Sequence, residues 1–195
     1  MKKDLKILSS ETLYDGFFRM KKYHLQHTLF AGGWSGQINR ELFVRNNCVA
    51  VILYDQKRDE VVLIEQFRVG AAVNPINTPW LIEIVAGIME SGEALEEVAR
   101  RESIEEAGCE ILELIKINTF YLSPGGSSEQ ITLFCGFVNS EKVGGIHGVP
   151  EENEDIFVRA VPFSDAYEMV MNNQIDSAIP IIALQWLALQ RLSKS

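Results

Sequence analysis

Apolar and polar residues alternate from Tyr23 to Leu29, with Tyr23, Leu25 and Leu29 set against His24, Gln26 and Thr28, and they alternate again from Gln37 to Val44. Period-two alternation marks half-buried strands. Gly32-Gly33-Trp34-Ser35-Gly36 separates the two runs, so a glycine-rich turn joins them into a hairpin. The texture changes near Arg45. Cys48 to Tyr54 and Glu60 to Phe67 are β-branched runs divided by the polar stretch Asp55 to Asp59, the pattern of better buried strands. The chain therefore divides into an N-terminal β annex, 1–45, and a main domain, 46–195. Within the main domain the pattern predicts strands at Trp80 to Ala86, Leu112 to Tyr121, Gln130 to Val138 and Ile156 to Val161. It predicts helices over Glu93 to Ala107, Ser164 to Asn172 and Ile179 to Leu192. Gly108 is the expected stop of the first, and Pro180 is tolerated in the first turn of the last. Asn74 to Pro79, Ser123 to Ser128 and Gly144 to Asp155 read as loops, the latter two as loops that can carry a site.

Composition narrows the partners. The chain has 195 residues and a formal net charge of −9. That charge argues against a nucleic-acid or anionic-membrane surface, and a polyanionic substrate would need help from cations. No apolar stretch reaches the length of a membrane span, and Met1 to Ser10 lacks the apolar core of a secretory signal, so a cytoplasmic location is expected. Cys48, Cys109 and Cys135 form no metal-binding or redox spacing and sit among apolar neighbours, which makes them buried thiols.

The first helix carries the chemistry. Leu95, Val98 and Ala99 lie on one stripe, and that stripe continues through Glu102 and Glu106. With Leu95 at zero both carboxylates fall within about 20° of its direction, and Glu105 lies about 80° to one side. They face inward. Carboxylates crowded against a core persist only by protonating, pairing with basic residues or holding a cation, and clustered oxygen donors suit Mg²⁺. The plain alternative is a solvated acidic face in which Arg101 pairs with Glu97 or Glu105 at four-residue spacing. Ile104, opposite the stripe, weakens the amphipathic pattern unless the helix is covered on both sides.

Read together, Gly87, Glu93 and Arg101-Glu102-Ser103-Ile104-Glu105-Glu106-Ala107-Gly108-Cys109 resemble the Nudix box, in which glycine, five residues, glutamate and seven residues precede Arg-Glu-U-x-Glu-Glu-x-Gly-U, with U apolar. Every fixed position matches. Ser103 and Cys109 depart from the looser apolar positions, which touches local packing only. Within the Nudix hydrolase superfamily the chain looks like the bacterial ADP-ribose pyrophosphatases. Ser123-Pro124-Gly125-Gly126-Ser127-Ser128-Glu129 looks like their substrate loop, and Glu151-Glu152-Asn153-Glu154-Asp155-Ile156 like their acidic catalytic loop.

The resemblance implies an α/β fold: a Nudix α/β/α sandwich with a mixed sheet, plus an N-terminal antiparallel sheet exchanged between the subunits of a homodimer. It implies that Glu102, Glu106, Glu154 and the carbonyl of Ala86 ligate Mg²⁺, or Mn²⁺ in its place, with Glu105 assisting, and that Glu152 is the base. Phe17, Phe18, Arg40 and Glu41 are expected to reach the substrate across the subunit interface, and Arg68 from the same subunit. Ile88, Ser123, Pro124 and Gly125 would line the site, and Glu129 would accept from the terminal ribose. Core or dimer packing is the competing role for the two phenylalanines, and plain surface charge for the two arginines. The implied reaction is hydrolysis of ADP-ribose to AMP and ribose 5-phosphate. A sister enzyme acting on GDP-mannose or another nucleotide sugar is the nearer alternative, since Gln66-Phe67-Arg68-Val69 looks similar there. A non-catalytic nucleotide-sensing module is the more distant one, disfavoured because every box carboxylate is present.

Overall fold

The computed structural model describes residues 2–73, 78–90 and 92–193. The expected loop over Asn74 to Pro79 thus falls mostly outside the described residues, as does Ser91. The chain divides into two compact units, Met1–Asn47 with Phe120–Gln130, and Cys48–Thr119 with Ile131–Ser195.

The first unit is a three-stranded antiparallel sheet in the order β1 (Leu5–Asp15), β2 (Arg19–His27), β3 (Ile38–Val44). The expected hairpin is β2 with β3, and β1 is an addition to it. The register of β1 slips twice, between Ile7 and Ser9 and between Thr12 and Tyr14, so side chains change face along the strand and no alternation survives in the sequence. Further along the chain, the stretch 123–128 is bound to β3: Phe43 N–H donates to the Gly126 carbonyl at 2.8 Å and Ser128 N–H to the Phe43 carbonyl at 3.1 Å.

The second unit is built on a mixed sheet. Its strands are β4 (Cys48–Asp55), β5 (Glu60–Phe67), β6 (Trp80–Glu83), β7 (Val85–Ile88), β8 (Glu113–Tyr121), β9 (Gln130–Phe137), β10 (Gly144–His147) and β11 (Ile156–Pro162). The order is β10-β11-β5-β4-β9-β8, with β6 added to β5 and β7 to β4. β4 and β9 run parallel, whereas β4 is antiparallel to both β5 and β7. Where one strand is expected over Trp80 to Ala86 there are two. β4 pairs with β5 only at Leu53–Asp55, and farther along the two part company. The segment from Trp80 fills that opening, first along β5 and then, past buried Ile84, along β4. The glycine-rich stretch expected as a loop also holds β10, an edge strand of β11 whose sole apolar residue, Ile146, gives no alternation to read.

Helices cover both faces. α2 (Leu95–Ala107) packs Val98, Ala99 and Ala107 against Val49, Val51 and Leu53 of β4 and Val62 and Ile64 of β5. Residues of opposite parity, such as Ala50 and Ile52, face the other way by strand alternation. There α3 (Phe163–Met171) packs on β5 and β11, and α4 (Ala178–Leu192) on β4. The single turn α1 (Val69–Ala72) follows β5. Ile104 is 58% exposed, so α2 presents that side to solvent. Cys48, Cys109 and Cys135 are buried, and burial pushes the Cys109 thiol up to about 11. Among the described residues no helix is long and apolar enough to cross a membrane.

Candidate active site

α2 is set at both ends by local chemistry. Ala94 occupies the N-cap and its N–H donates to the Glu97 carboxylate at 3.2 Å, so Glu97 serves the helix start and not an ion pair with Arg101. Gly108 terminates the helix at φ +62°, and its N–H and that of Cys109 reach back to Ile104 and Ser103. A β-carbon at Gly108 would also lie 2.6 Å from the His147 ring. Ser103 is buried without cost because its hydroxyl donates to the Ala99 carbonyl at 2.6 Å, which is how a polar residue fits a position expected to be aliphatic.

The helix delivers Glu102, Glu105 and Glu106 to its C-terminal half, the end at which the backbone dipole disfavours negative charge. Glu106 is 3% exposed, and one oxygen accepts the Ala86 N–H of β7 at 2.9 Å. Burial, reinforced by Glu102 and Glu154, pushes its carboxyl up to about 8 against the pull of that N–H and of Arg68. Burial also raises Glu102, with Glu105 and Glu154 adding to the effect and Arg101 opposing it. Glu102, Glu106 and Glu154 thus form one electrostatically coupled group. The Glu102 carboxylate lies against the backbone of β7, where a β-carbon on Gly87 would stand 1.8 Å from its oxygen. Only glycine admits that approach. Glu154 accepts the Val149 N–H at 3.1 Å, and Gly148 N–H ties the start of this loop to the Glu105 carbonyl at 3.1 Å.

Arg101 answers much of the helix's negative charge. It contacts Glu93 at 3.2 Å, Glu102 at 2.8 Å and Glu105 at 2.9 Å. Burial works against its charge, but Glu93, Glu102 and Glu105 together hold it more firmly protonated than usual. The i, i+4 pair with Glu105 belongs to the plain reading of an acidic face, and it coexists with the inward pair Glu102 and Glu106. Glu93 accepts the Glu90 N–H at 2.9 Å, and that bond followed by Arg101 lowers its carboxyl. Its part is to steer Arg101, a role that the motif spacing alone did not disclose.

Ile88 ends β7, 40% exposed, and Arg68 donates to Glu83 at 2.8 Å beside the acidic group. Glu152 lies in the 3-10 turn Pro150–Glu152, and its side chain falls outside what the structure describes. The first unit holds the remaining predicted residues. Phe17 is 88% exposed and meets Phe18 edge to face at 4.7 Å, and Phe18 in turn meets Phe43 at 4.9 Å. Arg40 and Glu41 are exposed on β3, with Arg40 donating to the Asn39 carbonyl at 2.8 Å. Ser123, Pro124 and Gly125 are exposed. Glu129 is held by Arg45 at 3.1 Å, and the same guanidinium lies 4.8 Å over the Phe18 ring. Sequence reasoning missed Arg45, although a half-buried acid such as Glu129 calls for a cation somewhere in the fold.

Among the described residues, no three acidic, histidine or cysteine side chains stand at metal-ligand spacing. Each carboxylate takes a protein donor instead: Ala86 for Glu106, Arg101 for Glu102 and Val149 for Glu154. The donor set nevertheless fits a hard divalent cation, because three coupled carboxylates on facing elements offer oxygen ligands and an excess of negative charge.

A mixed sheet between helices, with a glycine strand facing an acid-rich helix end, defines a class. A family model described as NUDIX domain matches residues 44–183, and the chain belongs to the NUDIX family. More particularly, the chain is 48% identical over 188 residues to an ADP-ribose pyrophosphatase of Haemophilus influenzae, covering 95% of this chain and 87% of that one. It is 47% identical over 188 residues to an ADP-ribose pyrophosphatase of Escherichia coli, covering 96% and 90%. A GDP-mannose pyrophosphatase of Escherichia coli is 38% identical over 154 residues, 78% of this chain and 79% of its own. A solved structure described as an ADP compounds hydrolase superposes with a TM-score of 0.71 over 95% of each chain at 19% identity, a likeness of fold.

Proposed function

We propose that this protein hydrolyses the diphosphate linkage of ADP-ribose, releasing AMP and ribose 5-phosphate. The observation that carries the reading is buried Glu106 grouped with the half-buried Glu102 and Glu154, three carboxylates that α2 and the acidic loop bring together beside the glycine strand β7. Glu102, Glu106, Glu154 and the Ala86 carbonyl would hold Mg²⁺, with Glu105 assisting and Mn²⁺ as a substitute. A divalent ion held there would supply charge neutralisation for the diphosphate and a lowered pKa for its bound water. Glu152 would take the proton from the attacking water, and its place on a loop would let it act only once substrate is present. Arg68 supplies positive charge beside the acids, and Ile88 an apolar wall. In the first unit, Phe17, Phe18, Arg40, Glu41, Ser123, Pro124, Gly125 and Glu129 are the proposed contacts of the nucleoside and ribose parts. Arg45 would fix the Glu129 carboxylate.

ADP-ribose is preferred over GDP-mannose because the relatives acting on ADP-ribose match at higher identity and over more of the chain. The protein would act as a cytoplasmic homodimer with the 1–45 annex at its interface. Purified protein with Mg²⁺ should release AMP from ADP-ribose faster than it turns over GDP-mannose. Glu102→Gln and Glu152→Gln should each abolish most of that rate. Full activity in both variants would remove the mechanism, and tight ADP-ribose binding without turnover would make the protein a sensor.

A further inference from the structure

We infer that Gln66 binds the diphosphate of the ligand, its side-chain amide donating to a phosphate oxygen. The inference rests on the reading above that a diphosphate occupies the acidic site. Gln66 is the penultimate residue of β5 and only 7% exposed. Its Nε2 is wholly buried and has no hydrogen-bond partner among the described residues. Native folds seldom leave a buried amide donor without an acceptor, and each exception calls for an explanation such as an acceptor brought from outside.

The register shows where the amide lies. Val62 and Ile64 face α2 in the core, and Gln66 continues that row by alternation. Across to β6, Ile64 pairs with Glu83 and Gln66 with Leu81, and cross-strand partners share a face. Arg68, two residues on, bonds to Glu83 and acts electrostatically on Glu106. On the other flank Glu65 pairs with Phe157, which follows core residue Ile156, and two residues before Ile156 stands Glu154. The amide therefore sits in the row between the Arg68–Glu83 ion pair and the segment bearing Glu154.

Chemistry narrows what it meets. An NH₂ group is a donor only and gains nothing from a cation. The nearby carboxylates already have donors of their own, Glu83 from Arg68, Glu106 from Ala86 and Glu154 from Val149. An incoming anionic oxygen is the acceptor that the site lacks. A phosphate oxygen held next to the acids by cations would meet an otherwise idle donor.

The near-isosteric Gln66→Met, which keeps the volume and removes the donor, tests this. A hydrogen bond from a neutral amide to an anionic oxygen is worth at least about a factor of ten in binding. The variant should raise the ADP-ribose KM about tenfold with kcat within threefold, and should weaken calorimetric binding of ADP in Mg²⁺ by a similar factor. Its thermal midpoint should equal or exceed that of the wild type, since a buried donor without an acceptor is gone. Unchanged KM and ADP affinity would overturn the assignment, as would a lowered midpoint, which would make Gln66 a packing residue. If the wild type failed to hydrolyse ADP-ribose, the proposed function would fall while the ADP titration still judged Gln66. Failure of the wild type to bind ADP would overturn both.

Discussion

Glu106 and Asp55 are each only 3% exposed, with Glu106 the deeper of the two, and their surroundings drive them in opposite directions. Burial raises the proton affinity of both. Around Asp55 the Ser140 N–H and hydroxyl, the Lys57 and Arg58 N–H groups and the Arg58 guanidinium all donate to the carboxylate, and they hold it well below the usual range. Around Glu106 there is one backbone donor and two further acids, and the carboxyl rises to about 8. A carboxylate that the protein satisfies belongs to its architecture. One that it crowds and leaves under-satisfied is held in readiness for a partner from outside.

The contrast can be broken most severely at the crowded end. Glu106→Gln should reduce turnover of ADP-ribose about a thousandfold, the scale of several kcal/mol expected when cation binding is impaired. Because a carboxyl pushed up to about 8 is already largely neutral at pH 7, and the amide keeps an oxygen for the Ala86 N–H, the variant's melting temperature should stay within about 2–4 °C of the wild type. A stable, fully active variant would end the distinction between the two acids. Asp55→Asn is the mirror experiment, expected to cost about 2–3 kcal/mol of unfolding free energy at neutral pH while the folded fraction keeps its activity. Its sign with pH is fixed. The folded carboxyl titrates below the unfolded value of roughly 4, so its stabilisation is present above that pH and is lost as the solution is acidified. Denaturant titrations at pH 7 and pH 3 should therefore show the deficit of the variant shrinking in acid.

Smaller changes sharpen the comparison. Gly87→Ala places a methyl group where the Glu102 carboxylate now lies, and the flexible acid must move aside. Activity should fall about tenfold with stability within ~1 kcal/mol, separable by assaying at matched folded fraction. Ser103→Ala, in the same motif but pointing into the core, should leave turnover unaltered and shift stability by less than about 1 kcal/mol.

Much of this is legible in the amino-acid sequence. The inward carboxylates followed from helical periodicity, the helix stop from Gly108, and the buried strands β4 and β5 from their continuous apolar runs. The Nudix sandwich with its N-terminal antiparallel sheet followed from the motif. Elements that broke their own period were hidden. β1 lost its alternation to two register slips, and the strand from Trp80 changed partner at Ile84, an event set by the distance between β4 and β5 and not by local residues. Glu93 was legible as a motif position but not as the steering group of Arg101, because an ion pair eight residues apart bridges loop and helix. Arg45 was missed because its partner Glu129 is remote in sequence.

For anyone redesigning this scaffold, position 108 is closed twice over. Its left-handed backbone penalises any β-carbon torsionally, and the imidazole of His147 fills the volume that such a carbon would claim. Trimming residue 147 would lift the second barrier and leave the first intact. Pairing Gly108→Ala with His147→Ala in a double-mutant cycle would separate steric from conformational cost at the point where helix and acidic loop meet.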